Sequence, residues 1–241
     1  MDSGKQLLMT MTGEMHQPVR LYYEVSDQAA VLKTFTKLRC LDDDQDNHRW
    51  VWLYQGEAKK LKFHKSYSAI PRQMRPIVLG VCRFPSAQEM TLDVRSWERA
   101  THAVVFFDRY LKRSIARVTH AAIVNRLFPY TTDGLPALEG LFAPEQVTEI
   151  DGEAMLRRMA ASLQTIQDPQ QRLDRAFTLM EQQSHERLPE VEKLPVHYYA
   201  EGIRSFETTL RLRQIVAFEH WRGNAACTLG EVIQKVSAGL S

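Results

Sequence analysis

Cysteine is scarce in this chain and irregularly placed. The three cysteines, Cys40, Cys82 and Cys227, lie far apart, and none forms part of a CxxC pair. A disulfide framework and a cysteine-based zinc site both need several cysteines at close or regular spacing, so neither is expected. Reduced thiols in a cytoplasmic protein are the prediction.

Long apolar runs are lacking as well. The longest candidates, such as residues 103–107, fall far short of the roughly 20 residues that a membrane-spanning helix needs. The amino terminus has no basic stretch followed by a long apolar core, which a secretory signal peptide would require. The sequence therefore predicts no membrane span and a cytoplasmic location.

Sequence motifs for catalysis and cofactor binding are missing too. The chain contains no GxSxG nucleophile elbow, no P-loop, no GxGxxG and no HExxH. Asp42, Asp44 and Asp46 match the first ligands of a calcium loop, but Asn47 stands where that loop needs glycine and Leu53 where it needs glutamate. We therefore predict no cofactor, no metal and no catalytic residue, and we interpret this stretch as a solvated acidic turn.

The charge of the chain is unevenly distributed. Residues 1–130 carry 20 Lys and Arg against 13 Asp and Glu, whereas residues 131–241 carry 11 against 16. A basic half joined to an acidic half is typical either of two binding faces or of two halves that attract each other and dock.

The stretch from Arg95 to Phe128 is the centre of the predicted fold. Ser96 is a good helix N-cap, and the apolar residues that follow recur at the spacing of one helical face: Ala100, Val104, Phe107 and Leu111. Phe107 is therefore expected to be buried. A β-branched run at 115–119 predicts a strand, and a short second helix is expected after Thr119.

The rest of the first half predicts a sheet. Patterning indicates strands at 19–25, 50–54, 77–84 and 90–94 and a helix at 28–38, while residues 1–17 are expected to form a loose arm. The order β-α-β-β-β-α-β predicts an α+β fold, a mixed and mostly antiparallel sheet with helices packed on it. A split βαβ, ferredoxin-like topology with an extra strand matches this order best.

The second half is predicted to be mainly helical. Residues 129–150 hold three prolines and two glycines and are interpreted as a linker or wrapping loop. Helices are expected after Asp151 and Asp168, and Thr228 with Glu231 forms a capping box for a last helix. Residues 203–221 fit a long helix, although their alternation also fits a strand. We therefore predict an α+β domain at 1–130 and a mainly helical region at 131–241 docked on it.

The segment whose residue types point most clearly to ligand binding lies between residues 59 and 75. Its cations are interleaved with two aromatic side chains: Lys59, Lys60, Lys62, Lys65, Arg72 and Arg75 with Phe63 and Tyr67. Lysines bind phosphates by releasing counterions, and aromatic rings stack on exposed bases, so the pattern suits a single-stranded RNA or DNA surface. It equally suits a basic segment that the acidic half or an acidic partner protein balances.

A second surface is marked by residue types that are enriched at protein interfaces: Tyr198, Tyr199, Arg211, Arg213 and Arg222. The alternative interpretation is that the two tyrosines seal the junction between the two halves.

Three classes of function fit these features. We favour a non-catalytic interaction or assembly protein that binds a protein partner through the aromatic and arginine surface or the basic segment, because no cofactor, nucleophile or metal motif is present. A nucleic-acid-binding protein that uses residues 59–75 is the alternative. The third is an enzyme with a site at the junction of the halves, where His102 and His120, which flank the central helix, are the candidates.

Overall fold

The computed structural model describes residues 6–131 and 137–238. Its strands form one mixed sheet in the order β2-β3-β4-β5-β1-β6-β8-β7. They are β1 (Val19–Val25), β2 (Leu41–Asp44), β3 (Arg49–Leu53), β4 (Val78–Ser86), β5 (Glu89–Val94), β6 (Ala116–Val124), β7 (Val147–Glu149) and β8 (Val191–Pro195). All neighbouring strands are antiparallel except β7 and β8, which are parallel.

Helices account for most of the remaining regular structure. They are α1 (Gln28–Phe35), α2 (Trp97–Tyr110), α3 (Leu138–Leu141), α4 (Gly152–Leu163), α5 (Pro169–Ser184), α6 (Tyr198–Glu201), α7 (Ile203–Trp221) and α8 (Leu229–Ala238). Within the described residues, no helix is long and apolar enough to cross a membrane.

The central four strands confirm the predicted α+β fold and its split βαβ topology. Strand β5 lies between β4 and β1 and runs antiparallel to both, so β1 and β4 are parallel strands with a third inserted between them. Strand β1 separates β5 from β6 in the same way. The hairpin of β2 and β3 extends one edge of this unit, and β8 with β7 extends the other.

The main core lies between the sheet and the helix layer. Alternate residues of β1 point inward, since Val19, Leu21 and Tyr23 are buried, and α2 covers them. Phe107 of α2 is fully buried, as predicted. Its ring packs 5.8 Å from that of Phe35, which brings α1 and α2 onto the same face of the sheet.

The amino-terminal arm is not loose, and this prediction was wrong for the residues that the structure describes. Thr12, Glu14 and Gln17 are fully buried. The backbone of the arm is held at two places, because Leu8 donates to the Phe128 carbonyl and Gln17 donates to the Arg95 carbonyl. The sequence conceals this packing because the arm is polar and has no regular period, and its burial depends on distant partners.

A buried ion pair anchors the arm to α2. Arg99 Nε lies 3.6 Å from Glu14 Oε2, and both side chains are almost completely inaccessible. Arg99 also donates to Thr12 Oγ1 at 2.6 Å and to the Val78 carbonyl at 3.1 Å. Desolvation by burial lowers the pKa of Arg99 to about 10, although the nearby Glu14 carboxylate opposes the shift, so the guanidinium stays charged at neutral pH.

Two predicted elements of the first half were also wrong. Residues 42–44 belong to the predicted acidic turn but form most of β2, because backbone pairing with β3 at the sheet edge outweighs their low strand propensity. The stretch after Thr119 was expected to be helical but continues β6 as far as Val124. Its apolar residues are buried between β1 and β8, and a fully buried strand has the same unbroken apolar pattern as a buried helix.

The second half contributes helices and two strands to the same sheet. Residues 203–221 are a helix rather than a strand, and Asp151 and Asp168 cap α4 and α5 as predicted. Residues 129–150, interpreted as a linker or wrapping loop, contain α3 and β7. The domain boundary after residue 130 stays a prediction, although β7 and β8 extend the sheet built by the first half.

Candidate functional site

The basic segment connects β3 to β4 and folds as three short 3-10 turns, at 56–60, 67–69 and 72–74. It is tied to the amino-terminal arm, because the Lys65 amide donates to the Thr12 carbonyl at 2.8 Å and the His64 ring lies 3.0 Å from the Gly13 carbonyl oxygen. Arg75 donates to the Ile70 and Ser68 carbonyls, which closes the end of the segment. The segment is therefore tied to the arm near its middle and held by its own hydrogen bonds near its end.

Five cations of this segment are exposed and form what we call the lysine surface: Lys59, Lys60, Lys62, Lys65 and Arg72. None of them forms a salt bridge with a carboxylate of the described residues. Arg75 differs from these five, since it is half-buried and its guanidinium is held by carbonyl oxygens of its own segment. The lysine surface thus presents a local excess of positive charge.

The aromatic side chains of the segment are packed within the protein. The Phe63 ring meets Tyr54 and His102 edge-on, with ring centroids 5.1 Å apart in both cases. The Tyr67 ring lies edge-on to Tyr54, and the charged ends of Lys59 and Arg75 lie 4.6 and 4.5 Å from its centroid. Both rings belong to the periphery of the main core.

The tyrosines of the second predicted surface lie where α6 meets the rest of the fold. Tyr198 donates to Asp108 of α2 at 3.2 Å, and the Val118 amide of β6 donates to the Tyr199 hydroxyl at 3.0 Å. The Arg113 guanidinium lies 4.6 Å from the centroid of the Tyr199 ring. Burial, with the Asp108 carboxylate nearby, raises the pKa of both tyrosines. These side chains hold α6 against α2 and β6.

The three arginines of that surface have different environments. Arg213 is buried and makes a bidentate pair with Glu192 of β8, at 2.6 and 2.9 Å, so it joins α7 to the sheet. Arg211 and Arg222 are exposed on and just after α7. Whether these two bind a partner stays a prediction.

The two candidate histidines are not brought together. His102 lies in the helix layer, where its Nε2 is 2.9 Å from the Lys62 carbonyl oxygen. His120 is paired with Tyr22 across β1 and β6 and faces the opposite side of the sheet. Burial, with Lys193 nearby, lowers the pKa of His120. A joint role in one site is therefore not supported.

A polar cavity on the sheet face opposite the helix layer is the site that the sequence did not reveal. Its lining includes His16 from the arm, three arginines from or next to three strands, and Glu139 from α3. These residues share no motif and are separated by up to 123 positions, so only the folded chain brings them together. The composition of the individual segments contained no signal that could have found it.

Comparison with known proteins adds no relative. No family model, no curated protein and no solved structure matches the chain. Among residues 6–131 and 137–238, no group of three or more His, Cys, Asp or Glu side chains is arranged to hold a metal ion. The function must therefore be inferred from the chemistry of the surfaces and the cavity.

Proposed function

We propose that the protein is a non-catalytic interaction protein that binds an acidic region of a partner protein through the lysine surface. The observation that carries this proposal is that one segment exposes several cations without carboxylate partners among the described residues, while its two aromatic rings are already in contact with other side chains. The lysine ammonium groups are exposed without carboxylate partners in the described part of the chain, whereas the neighbouring rings are packed. Such a surface attracts a negatively charged partner, and its two aromatic rings are already packed against other side chains.

The packing of the rings favours a protein partner over single-stranded nucleic acid. Sequence-tolerant binding of single strands combines phosphate contacts with bases stacked on aromatic rings. Phe63 contacts Tyr54 and His102 edge-on, and Tyr67 already has two cations near its ring. Stacking a base on either ring would require these contacts to be replaced, so charge is the main attraction that remains for an RNA or DNA strand.

The anchoring of the segment supports binding without large rearrangement. Its hydrogen bonds to Thr12 and Gly13 hold the lysine backbone in place before a partner arrives. Pre-organisation of this kind lowers the entropic cost of association. Complementary charge of this kind mainly accelerates association and selects partners of the opposite sign.

The proposal includes a cytoplasmic location. Cys40, Cys82 and Cys227 are free and buried. Unpaired cysteines are usual in compartments that keep thiols reduced.

The test compares a fluorescent glutamate-rich peptide with a single-stranded RNA of equal charge, by anisotropy at physiological salt. The test variant changes Lys59, Lys60, Lys62 and Lys65 to Gln. We expect it to weaken peptide binding roughly fourfold or more, because each exposed ion pair contributes about 0.2–1 kcal/mol and four are removed. The matched control changes four exposed cations elsewhere to Gln, which alters net charge equally: Lys33, Lys37, Arg109 and Lys112. It should bind nearly as well as the wild type.

Two results would contradict this function. Equal loss of binding in both four-residue variants would mean that net charge, and not the lysine surface, attracts the peptide. RNA that binds more tightly than the peptide, and that loses affinity when Phe63 is changed to Ala in a variant still folded by circular dichroism, would favour the nucleic-acid alternative.

A further inference from the structure

The polar cavity on the open face of the sheet is small and bordered by positive charge. Its volume is about 210 Å³, below the roughly 300–1,000 Å³ of pockets for drug-sized ligands. Arg49 reaches it from β3, Arg83 from β4 and Arg95 from the residue after β5. Guanidinium groups thus approach the same space from three neighbouring strands.

The carboxylates beside the cavity neutralise only part of this charge. Asp93 is almost completely buried and is held by a bidentate pair with Arg20, at 2.6 and 2.9 Å. The Arg83 guanidinium lies 3.4 Å from Asp93 Oδ2 and also binds the Glu139 carboxylate. Arg49 is paired with Asp44 at 2.6 Å. In the described part of the chain, Arg95 has no carboxylate partner, so it remains the uncompensated cation.

His16 lines the same cavity and carries an unsatisfied polar atom. Its side chain is only 2% exposed, and its Nε2 is buried without a hydrogen-bond partner among the described residues. A buried polar atom that lacks a partner costs about 1–3 kcal/mol, so native proteins rarely leave one without a reason. Burial and the neighbouring Arg95 and Arg99 lower the pKa of His16 to about 4, which keeps the ring neutral and able to donate one hydrogen bond.

We propose that this cavity binds a phosphate group, either as inorganic phosphate or as the monoester of a small molecule. The planar guanidinium group of arginine matches the spacing of phosphate oxygens and can bind two of them at once. Arginine side chains from three neighbouring strands, with His16 beside them in the lining, suit a tetrahedral anion with several oxygens better than a planar carboxylate with two. The proposal concerns a different part of the surface and does not depend on the lysine surface.

Glu139 indicates where the anion binds. Its carboxylate already lies on Arg83, and more than half of its side chain is exposed. The Glu139 carboxylate thus occupies the Arg83 guanidinium that a bound phosphate would need. Binding of phosphate therefore displaces Glu139 toward solvent, and Glu139 competes with the ligand.

The experiment is isothermal titration of the full chain with inorganic phosphate, glycerol phosphate and acetate in separate arms. We expect saturable phosphate binding, at least a tenfold loss of affinity in Arg95→Gln, and tighter binding in Glu139→Gln, which lacks the competing charge. Arg109→Gln removes one exposed cation from α2, in the helix layer, and should bind like the wild type. Phosphate should also shift the imidazole ¹⁵N resonances of His16, a readout that net charge alone would not move.

The arms distinguish the sources of the phosphate. Equal affinity for phosphate and glycerol phosphate would assign recognition to the phosphate group alone, and tighter binding of the ester would assign a small-molecule ligand. Acetate that binds as tightly as phosphate would overturn the assignment. The absence of saturable binding of both phosphates, or unchanged affinity in a folded Arg95→Gln protein, would overturn the site itself.

Discussion

The central sheet buries its inward side chains, whereas helix α5 leaves three large apolar side chains mostly exposed. Leu21 and Phe107 are fully buried, but Phe177 on α5 is 61% exposed and Leu173 and Met180 are each 50% exposed. Helix α5, all of whose residues the structure describes, contains no buried residue. The two regions belong to one chain but differ in how completely they bury their apolar side chains.

The difference shows which interactions define each region. Helix α5 begins where Asp168 accepts the Gln170 amide at 2.9 Å and Pro169 occupies the first helical position. These are local signals that need no tertiary contact. The sheet instead depends on long-range pairing and on burial of apolar area, which is the dominant favourable contribution to folding. We therefore expect equivalent substitutions to have unequal effects in the two regions.

The largest expected difference concerns two phenylalanines. Phe107→Ala should lower the free energy of unfolding by about 3–5 kcal/mol, because it removes a fully buried ring from the core. Phe177→Ala should change it by no more than about 0.5 kcal/mol, as is usual for an exposed position. Urea denaturation of both variants measures the contrast. Equal losses would mean that α5 is covered in solution or that α2 is not part of the core.

A smaller difference concerns two histidines and their dependence on pH. Burial, with Arg95 and Arg99 nearby, lowers the pKa of His16 to about 4, whereas a histidine in an unfolded chain titrates near 6.5. The unfolded state therefore binds the extra proton first, and stability present above about pH 6.5 is lost as the pH falls through about 4. The loss amounts to about 3 kcal/mol.

His16→Gln removes the imidazole that takes up this proton. The variant should therefore lose less stability than the wild type as the pH falls from neutral to about 4. His185→Gln, at the exposed end of α5, is the matched control for loss of an imidazole. Denaturation curves recorded across this range compare the slopes of stability against pH. A wild-type slope in His16→Gln would show that the His16 ring is not kept neutral by burial.

The smallest expected effect concerns the helix caps of the two regions. Ser96 is fully buried and accepts the Arg99 amide at 3.2 Å, and Asp168 accepts the Gln170 amide in the same manner. Replacement of either cap by Ala should cost about 1 kcal/mol. For Ser96→Ala the loss should appear in global unfolding, because α2 belongs to the core. For Asp168→Ala it should appear mainly as faster hydrogen exchange within α5, and a matching global loss would show that α5 folds cooperatively with the sheet.

Local chemistry made several features of this protein predictable from the sequence. Ser96, Asp151 and Asp168 marked the starts of α2, α4 and α5, because a cap acts on backbone groups within its own turn. Periodicity placed the buried face of α2, including Phe107. The order of strands and helices favoured the split βαβ topology, because connection rules leave few alternatives.

Within the candidate sites, charge was predictable and packing was not. Exposure of the four lysines of the lysine surface follows from the cost of burying an ammonium group, which any fold must respect. The use of Phe63 and Tyr67 as packing residues depends on Tyr54, His102 and Arg75, which only the folded chain places around them.

The sequence by itself therefore determined the elements with local signals and the order that restricts their arrangement. Tertiary structure alone decided that the polar arm is buried, that β6 continues to Val124, and that His16 meets Arg83 and Arg95 at one cavity. The physical reason is distance along the chain. A cap or an apolar period acts over a few residues, whereas a buried ion pair, a strand partner and a cavity lining join residues that are neighbours only after folding.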